Sequence, residues 1–230
     1  GRGESWGATK CVQWPDLQLS DLLEDSSKGK VQLPDFQRDW GWDDEHVKSL
    51  LASVSQSYPI GAIMMLESDD GSVNFRPLLM KGVELAETAT PDQLVLDGQQ
   101  RLTSLFLSLS SGKPVPTKDS RGNPYMRWYY IDINEALNPY GDREESVVSV
   151  PEDRIVRNFR SEPIHDYSTP EAEYENEVFP LSMVFDASTW RRGYNKFWNH
   201  DEEHSRRWDD FEEGVIKRFE QYQVPAIVLS

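Results

Sequence analysis

The sequence predicts an α/β (α+β) fold, with strands and helices interleaved in the first half and a more helical, acidic second half. Three observations predict it. Short apolar runs, IGAIMMLE (60–67), QLVLD (93–97) and QVPAIVL (223–229), read as buried strands. Between them, apolar residues recur at helical spacing, as in Val47, Leu50, Leu51 and Val54. A chain of 230 residues with 37% hydrophobic and 11% aromatic content can also bury a substantial core.

Taken in order, a polar lead-in over 1–18 is followed by LQLSDLLED, expected as a short helix capped by Ser20. KVQLP (30–34) is a short strand stopped by Pro34, and PDFQRDWGW is an aromatic-rich loop. Asp43 or Asp44 caps a helix through about Ser57, which Tyr58-Pro59 ends. Strand 60–67 comes next, then NFRPLLM (74–80) as an edge strand, because Pro77 has no N–H for a ladder. Strand 93–97 leads into a helix over 100–110 that points Leu102, Leu105, Phe106 and Leu109 inward. RWYYIDI (127–133) is a strand after the turn-rich KDSRGNP. Few apolar anchors occur in 138–176, so loops and short elements are expected there, before helices near 181–198 and 201–222 and the last strand at 223–229. The division is a lead-in (1–18), a core (19–135) and an acidic extension (136–230). A chain that stops on a bare apolar strand reads as part of something longer.

The net charge is −16, with 13 Lys and Arg against 18 Asp and Glu in residues 1–130 and 11 against 22 in 131–230. Such a balance excludes a surface that grips the DNA backbone everywhere, since that binding rests on many cationic contacts. Nucleic-acid contact must be local. Lys113, Lys118, Arg121 and Arg127, around the turn before the 127–133 strand, are the candidate DNA contacts, with a solvated loop as the competing account. No run approaches the roughly 18 apolar residues of a membrane span, and the first twenty residues lack a signal-peptide core, so a cytoplasmic protein without a membrane partner is expected. The single cysteine, Cys11, excludes an internal disulfide and a cysteine-built zinc site.

One stretch carries chemistry: LVLDGQQRLTSLFLSL, residues 94–109. Asp97 and Gln100 fit a capping box, in which each side chain satisfies a backbone N–H at the helix start. That account leaves Gly98 and Arg101 unexplained, because glycine weakens a first turn and a cation opposes the partial positive charge of a helix N-terminus. An anionic ligand explains both. A strand–Gly–helix junction aims free N–H groups at phosphate oxygens, and Arg101 adds a donor. Asp97 could hold Mg2+ beside the phosphates, and the glutamines could contact phosphate or position a water. Upstream, Gln37 and Arg38 in LPDFQRDW offer a second donor set, against a surface loop with Arg38 paired to Asp35 or Asp39. Arg38 and Arg101 are expected to converge on one anion. His200, Glu203 and His204 match H-x-x-E-H, but that segment is too polar for a buried zinc helix. No G-x-x-x-x-G-K-[ST] loop is present.

LPDFQRDWGW, SYPIGAIMMLE and LVLDGQQRLTSL, in this order, together with FPLSMVFDASTW and YQVPAIVL, resemble the N-terminal domain of GmrSD-type, modification-dependent restriction endonucleases. These form a branch of the ParB/sulfiredoxin-like superfamily. The resemblance implies a ParB/sulfiredoxin-like mixed sheet flanked by helices, with 19–135 as the nucleotide-binding core. It implies binding and hydrolysis of a nucleoside triphosphate, GTP or another, with Mg2+, coupled to sensing modified DNA. Asp97, Gln100 and Arg101 would be catalytic, Gln37, Arg38, Gly98, Gln99, Gln100 and Arg101 would bind nucleotide, and Asp97 would hold the metal. Implied partners are modified DNA, a C-terminal HNH-type nuclease region or subunit, and in one version a second copy of the chain. Nothing of the nuclease segment appears in these 230 residues, so no nicking is expected of them. A sulfiredoxin-like redox enzyme would need a cysteine beside the site, and Cys11 precedes the first core element. The remaining alternative is a regulatory module that binds a nucleotide or DNA phosphate without catalysis.

Overall fold

A computed structural model describes residues 11–68 and 76–230. Two short strands, β1 (Val12–Gln13) and β2 (Asp16–Gln18), precede α1 (Leu19–Ser27), β3 (Val31–Pro34) and α2 (Asp44–Ser55). Next come β4 (Ile63–Glu67), β5 (Pro77–Leu78), β6 (Gln93–Asp97) and α3 (Gln99–Leu109). A second group follows: β7 (Val115–Lys118), β8 (Pro124–Asp132), α4 (Ile133–Leu137), α5 (Arg143–Ser146) and β9 (Val147–Pro151). The rest comprises β10 (Ile155–Arg157), β11 (Pro163–Asp166), α6 (Pro170–Asn176), β12 (Val178–Pro180), α7 (Ser188–Phe197), α8 (Glu202–Phe211), α9 (Lys217–Glu220) and β13 (Gln223–Leu229).

The main sheet runs β1-β13-β4-β6-β3-β5, with β2 also on β13. It is mixed: β13–β4 and β6–β3 are parallel, while β4–β6 and β3–β5 are antiparallel. Helices flank it, in agreement with the expected class. A second sheet is built around β8, which pairs with β7, β9 and β12. The acidic extension does not fold apart. Its last strand lies inside the main sheet between β1 and β4, and one apolar core runs from Leu19 to Val228. Phe179, Trp190, Trp208 and Phe211 meet at its centre, with ring centroids 5.1–5.9 Å apart.

Several local expectations are corrected. Ser20 does not cap α1. The helix begins at Leu19, two residues earlier than a Ser20 cap would set it, with no side-chain cap, because Leu19 N–H donates to the Tyr222 carbonyl at 2.9 Å and a tertiary bond satisfies the helix start. Strand β4 starts at Ile63 rather than 60, since the Ile60 and Ala62 carbonyls are taken by a side chain instead of a ladder. Of the expected 74–80 strand, 74 and 75 lie outside the described residues, and β5 is short. The segment near 181–198 divides into a 3-10 turn (181–186) and α7, and the one near 201–222 contains a π turn (212–216) between α8 and α9.

Helix α3 is buried on nearly every side, not on one stripe: Gln100 and 102–109 are all buried. Its serines are satisfied internally, as Ser104 and Ser108 hydroxyls each donate to the carbonyl four residues back at 2.7 Å. The start of this central helix is where the motif sits.

Candidate functional site

The site is assembled where β3 ends. Pro34 stops the strand, so the β3–β6 ladder reaches only Gln32↔Leu94, and the β6 carbonyls beyond it lack strand partners on that side. The Gln37 side chain replaces them, its amide donating to the Leu96 carbonyl at 3.0 Å. Across β4 a bulge skips the same residue, with Met64↔Asp97 followed by Met65↔Val95. Two further contacts tie the 35–42 loop to α3. Buried Trp40 donates its indole N–H to Ser104 Oγ at 2.7 Å, and Gln100 Oε1 accepts from Gly41 N at 3.3 Å. These bonds hold the loop as a wall beside the helix start.

Between this wall, β5 and α3 lies a cavity of about 290 Å³. Leu33, Pro34, Leu78 and Leu79 form an apolar side, whereas Gln37, Arg38, Asp39, Lys81, Gln99 and Gln100 form a polar one. Expected residues Gln37, Arg38, Gln99 and Gln100 are therefore brought together. Lys81 was not expected. Arg38 is not paired to Asp35 or Asp39, and among the described residues neither Arg38 nor Lys81 has an ion pair.

Asp97, Gly98 and Arg101 do not line this cavity. Gly98 is the N-cap of α3 in a left-handed conformation (φ +88°), and no side chain caps the helix. The capping box is thereby overturned: Gln100 reaches across to the 38–41 loop, and exposed Asp97 makes no side-chain hydrogen bond or ion pair among the described residues. Arg101 turns the other way. Its guanidinium donates to the Ile60 carbonyl at 2.6 Å and the Ala62 carbonyl at 3.0 Å, packed so closely over Gly61 that a Cβ there would collide with it. Two main-chain carbonyls thus offset a cation at a helix start, and Arg38 and Arg101 do not share the cavity. The pattern of residues around Gly61 gave no hint of this partner.

The four candidate DNA contacts divide as well. Lys113 pairs with Glu84 at 2.7 Å, and Arg127 is half-buried with its guanidinium 3.5 Å over the Tyr125 ring. Burial lowers the Arg127 pKa from its ordinary value. Lys118 and Arg121 remain exposed at the β7–β8 turn. Among the described residues no group of three metal-ligating side chains forms. His204 is bonded to Asp201, the N-cap residue of α8, at 2.8 Å and stacks on Trp198 at 3.8 Å. A wider groove between α4 and α8 is lined by side chains that already pair, Arg206 with Glu202 and Arg207 with Glu203, both at 2.8–2.9 Å.

Comparison with known proteins bears on what this site belongs to. Residues 19–230 match the family described as "GmrSD restriction endonuclease, N-terminal domain". An uncharacterized protein of Methanocaldococcus jannaschii is 31% identical over 220 residues, covering 92% of this chain and 35% of that protein. The chain therefore spans about a third of that relative's length. The match includes both arms of the cavity and the whole of α3. This chain belongs to the family of GmrSD restriction endonuclease N-terminal domains.

Proposed function

We propose that the cavity at the start of α3 binds and hydrolyses a nucleoside triphosphate, GTP or another, and that hydrolysis is coupled to recognition of modified DNA in a restriction system. One observation carries the reading: Arg38, with no ion pair among the described residues, and Gln99 line one cavity together with the apolar Leu33, Pro34, Leu78 and Leu79, beside a helix start that no side chain caps. A nucleotide needs such a combination, with donors for phosphate oxygens and an apolar surface for the base. Arg38 binds phosphate, and Gln99 contacts phosphate or orients the attacking water. Gln37, Gln100 and Arg101 hold the loops that make the walls. Magnesium keeps several waters and takes one or two carboxylates besides phosphate oxygens, and exposed Asp97, outside the cavity lining and without a side-chain partner among the described residues, is the residue that would hold it. When bound, that ion would neutralise charge on the phosphates. The DNA partner, the HNH-type nuclease region or subunit, a cytoplasmic location and any self-association belong to the same proposal.

A non-catalytic nucleotide or DNA-phosphate sensor is the second reading, favoured by the position of Asp97 outside the cavity lining. Phosphate release by the purified domain with each of the four nucleoside triphosphates and Mg2+, with and without modified duplex, separates the two. Release that Asp97→Ala abolishes is expected. Saturable nucleotide binding with no release under any condition would establish the sensor instead.

A further inference from the structure

The 80–83 turn presents a second cation to the cavity. Met80 is 1% exposed, anchored in the core, and Val83 N–H donates to the Met80 carbonyl at 3.1 Å to close the turn. Gly82, the third residue, has φ +88°, the left-handed conformation that such a turn demands and that side chains resist. A Cβ at Gly82 would also press on Leu107 of α3, 2.8 Å away. The turn is thus pinned on both sides of Lys81, an exposed residue that lines the cavity with Arg38. In a chain with 40 carboxylates, neither cation takes one as a partner among the described residues, although Asp39 lines the same space. Two like charges facing one small cavity repel each other. An anion between them removes that repulsion.

We propose that Lys81, which lies outside both sequence motifs, is a phosphate-binding residue of this site and clamps a polyphosphate chain against Arg38. The proposal rests on the nucleotide reading above. It makes the edge segment after β5 part of the site, so the cavity recognises phosphate from two separate chain segments. A ligand with one phosphate reaches one cation; a di- or triphosphate reaches both. Lysine acts here as a mobile point charge, so arginine should replace it in part.

The test is a set of calorimetric titrations of wild type, Lys81→Gln, Lys81→Arg and Arg38→Gln. Each is titrated with ATP, GTP, CTP and UTP, with the mono- and diphosphates of whichever binds, and with an unmodified duplex oligonucleotide. Lys81→Gln should weaken the triphosphate about tenfold or more and the monophosphate much less, with Lys81→Arg recovering most of the loss. The ligand-free melting temperature should not move, since the side chain is exposed. If Arg38→Gln weakens the triphosphate and Lys81→Gln does not, the nucleotide site stands and the role of Lys81 is refuted. If wild type binds none of the four triphosphates, the nucleotide reading itself fails. Weakening of the duplex alone would make the ligand DNA phosphate and overturn the clamp.

Discussion

Gly98 shows at residue scale why two plausible accounts of one motif were separable only by geometry. Its left-handed conformation takes the N-cap position, so Asp97 is displaced from any capping role. Asp97→Ala should therefore cost less than about 0.5 kcal/mol, below the usual loss for a capping residue, while reducing turnover. A denaturant titration with an activity assay checks it; a stability loss of about 1–2 kcal/mol would restore the capping role. Gln100 is the opposite case. It is 8% exposed and holds the 38–41 loop, so Gln100→Ala should destabilise by about 1–3 kcal/mol, whereas Gln99→Ala should barely do so. The sequence displayed both glutamines in a motif but not which partner each takes, because Gly41 lies 59 residues from Gln100.

Two carboxylates predict opposite pH effects. Burial pushes Glu177 up, but hydrogen bonds from Tyr194, Asn134 and Arg207, with the charge of Arg207, outweigh it and hold its pKa below the ordinary carboxyl value. A lowered acid contributes stability above its unfolded value that is lost as pH falls through the folded one. Glu177→Gln should lose stability at neutral pH and show a flatter decline below about pH 4. Burial raises the pKa of Glu173, so its contribution is present below the unfolded value and is lost as pH rises through the folded one. Glu173→Gln should flatten that side of the curve. Urea midpoints between pH 3 and 8 read both, and identical pH profiles for the two variants would contradict the assignments.

At the scale of elements, the 55–62 connection between α2 and β4 is held by side chains from three distant places. Arg143 donates to the Ser55 carbonyl, Arg218 to Gln56, Tyr222 to Tyr58, and Arg101 to Ile60 and Ala62. Gly61 (φ +92°) lies under Arg101, so Gly61→Ala should destabilise by about 1–3 kcal/mol through strain and collision. Combining it with Arg101→Ala should cost less than the sum of the two, since the collision is then absent. Strict additivity in denaturant unfolding would show that the two do not interact. Helices α2 and α3 and strands β3, β6 and β13 were legible because their apolar periodicity is local. The bounds of β4 and the start of α1 were not, as distant side chains and the Tyr222 carbonyl decide them. The divided helices near 181–222 also escaped, since their apolar spacing resembles that of continuous ones.

For the whole molecule, charge limits what DNA contact can be. With Lys113 paired to Glu84 and Arg127 stacked over the Tyr125 ring, only Lys118 and Arg121 of the four candidates are unengaged. Binding of unmodified duplex by this domain should be weak, with a log–log salt slope near −2 at about 0.9 per phosphate. A slope of about −6 or steeper would reveal a cationic surface absent from this account. The central claim is that an anionic nucleotide occupies the cavity faced by Arg38. The most direct measurement is a melting-temperature screen of wild type and Arg38→Gln against the four nucleoside triphosphates with Mg2+. The account predicts that at least one triphosphate stabilises the wild type and that Arg38→Gln removes most of that shift without lowering its own ligand-free melting point. Equal stabilisation of both proteins, or of neither by any triphosphate, would contradict it.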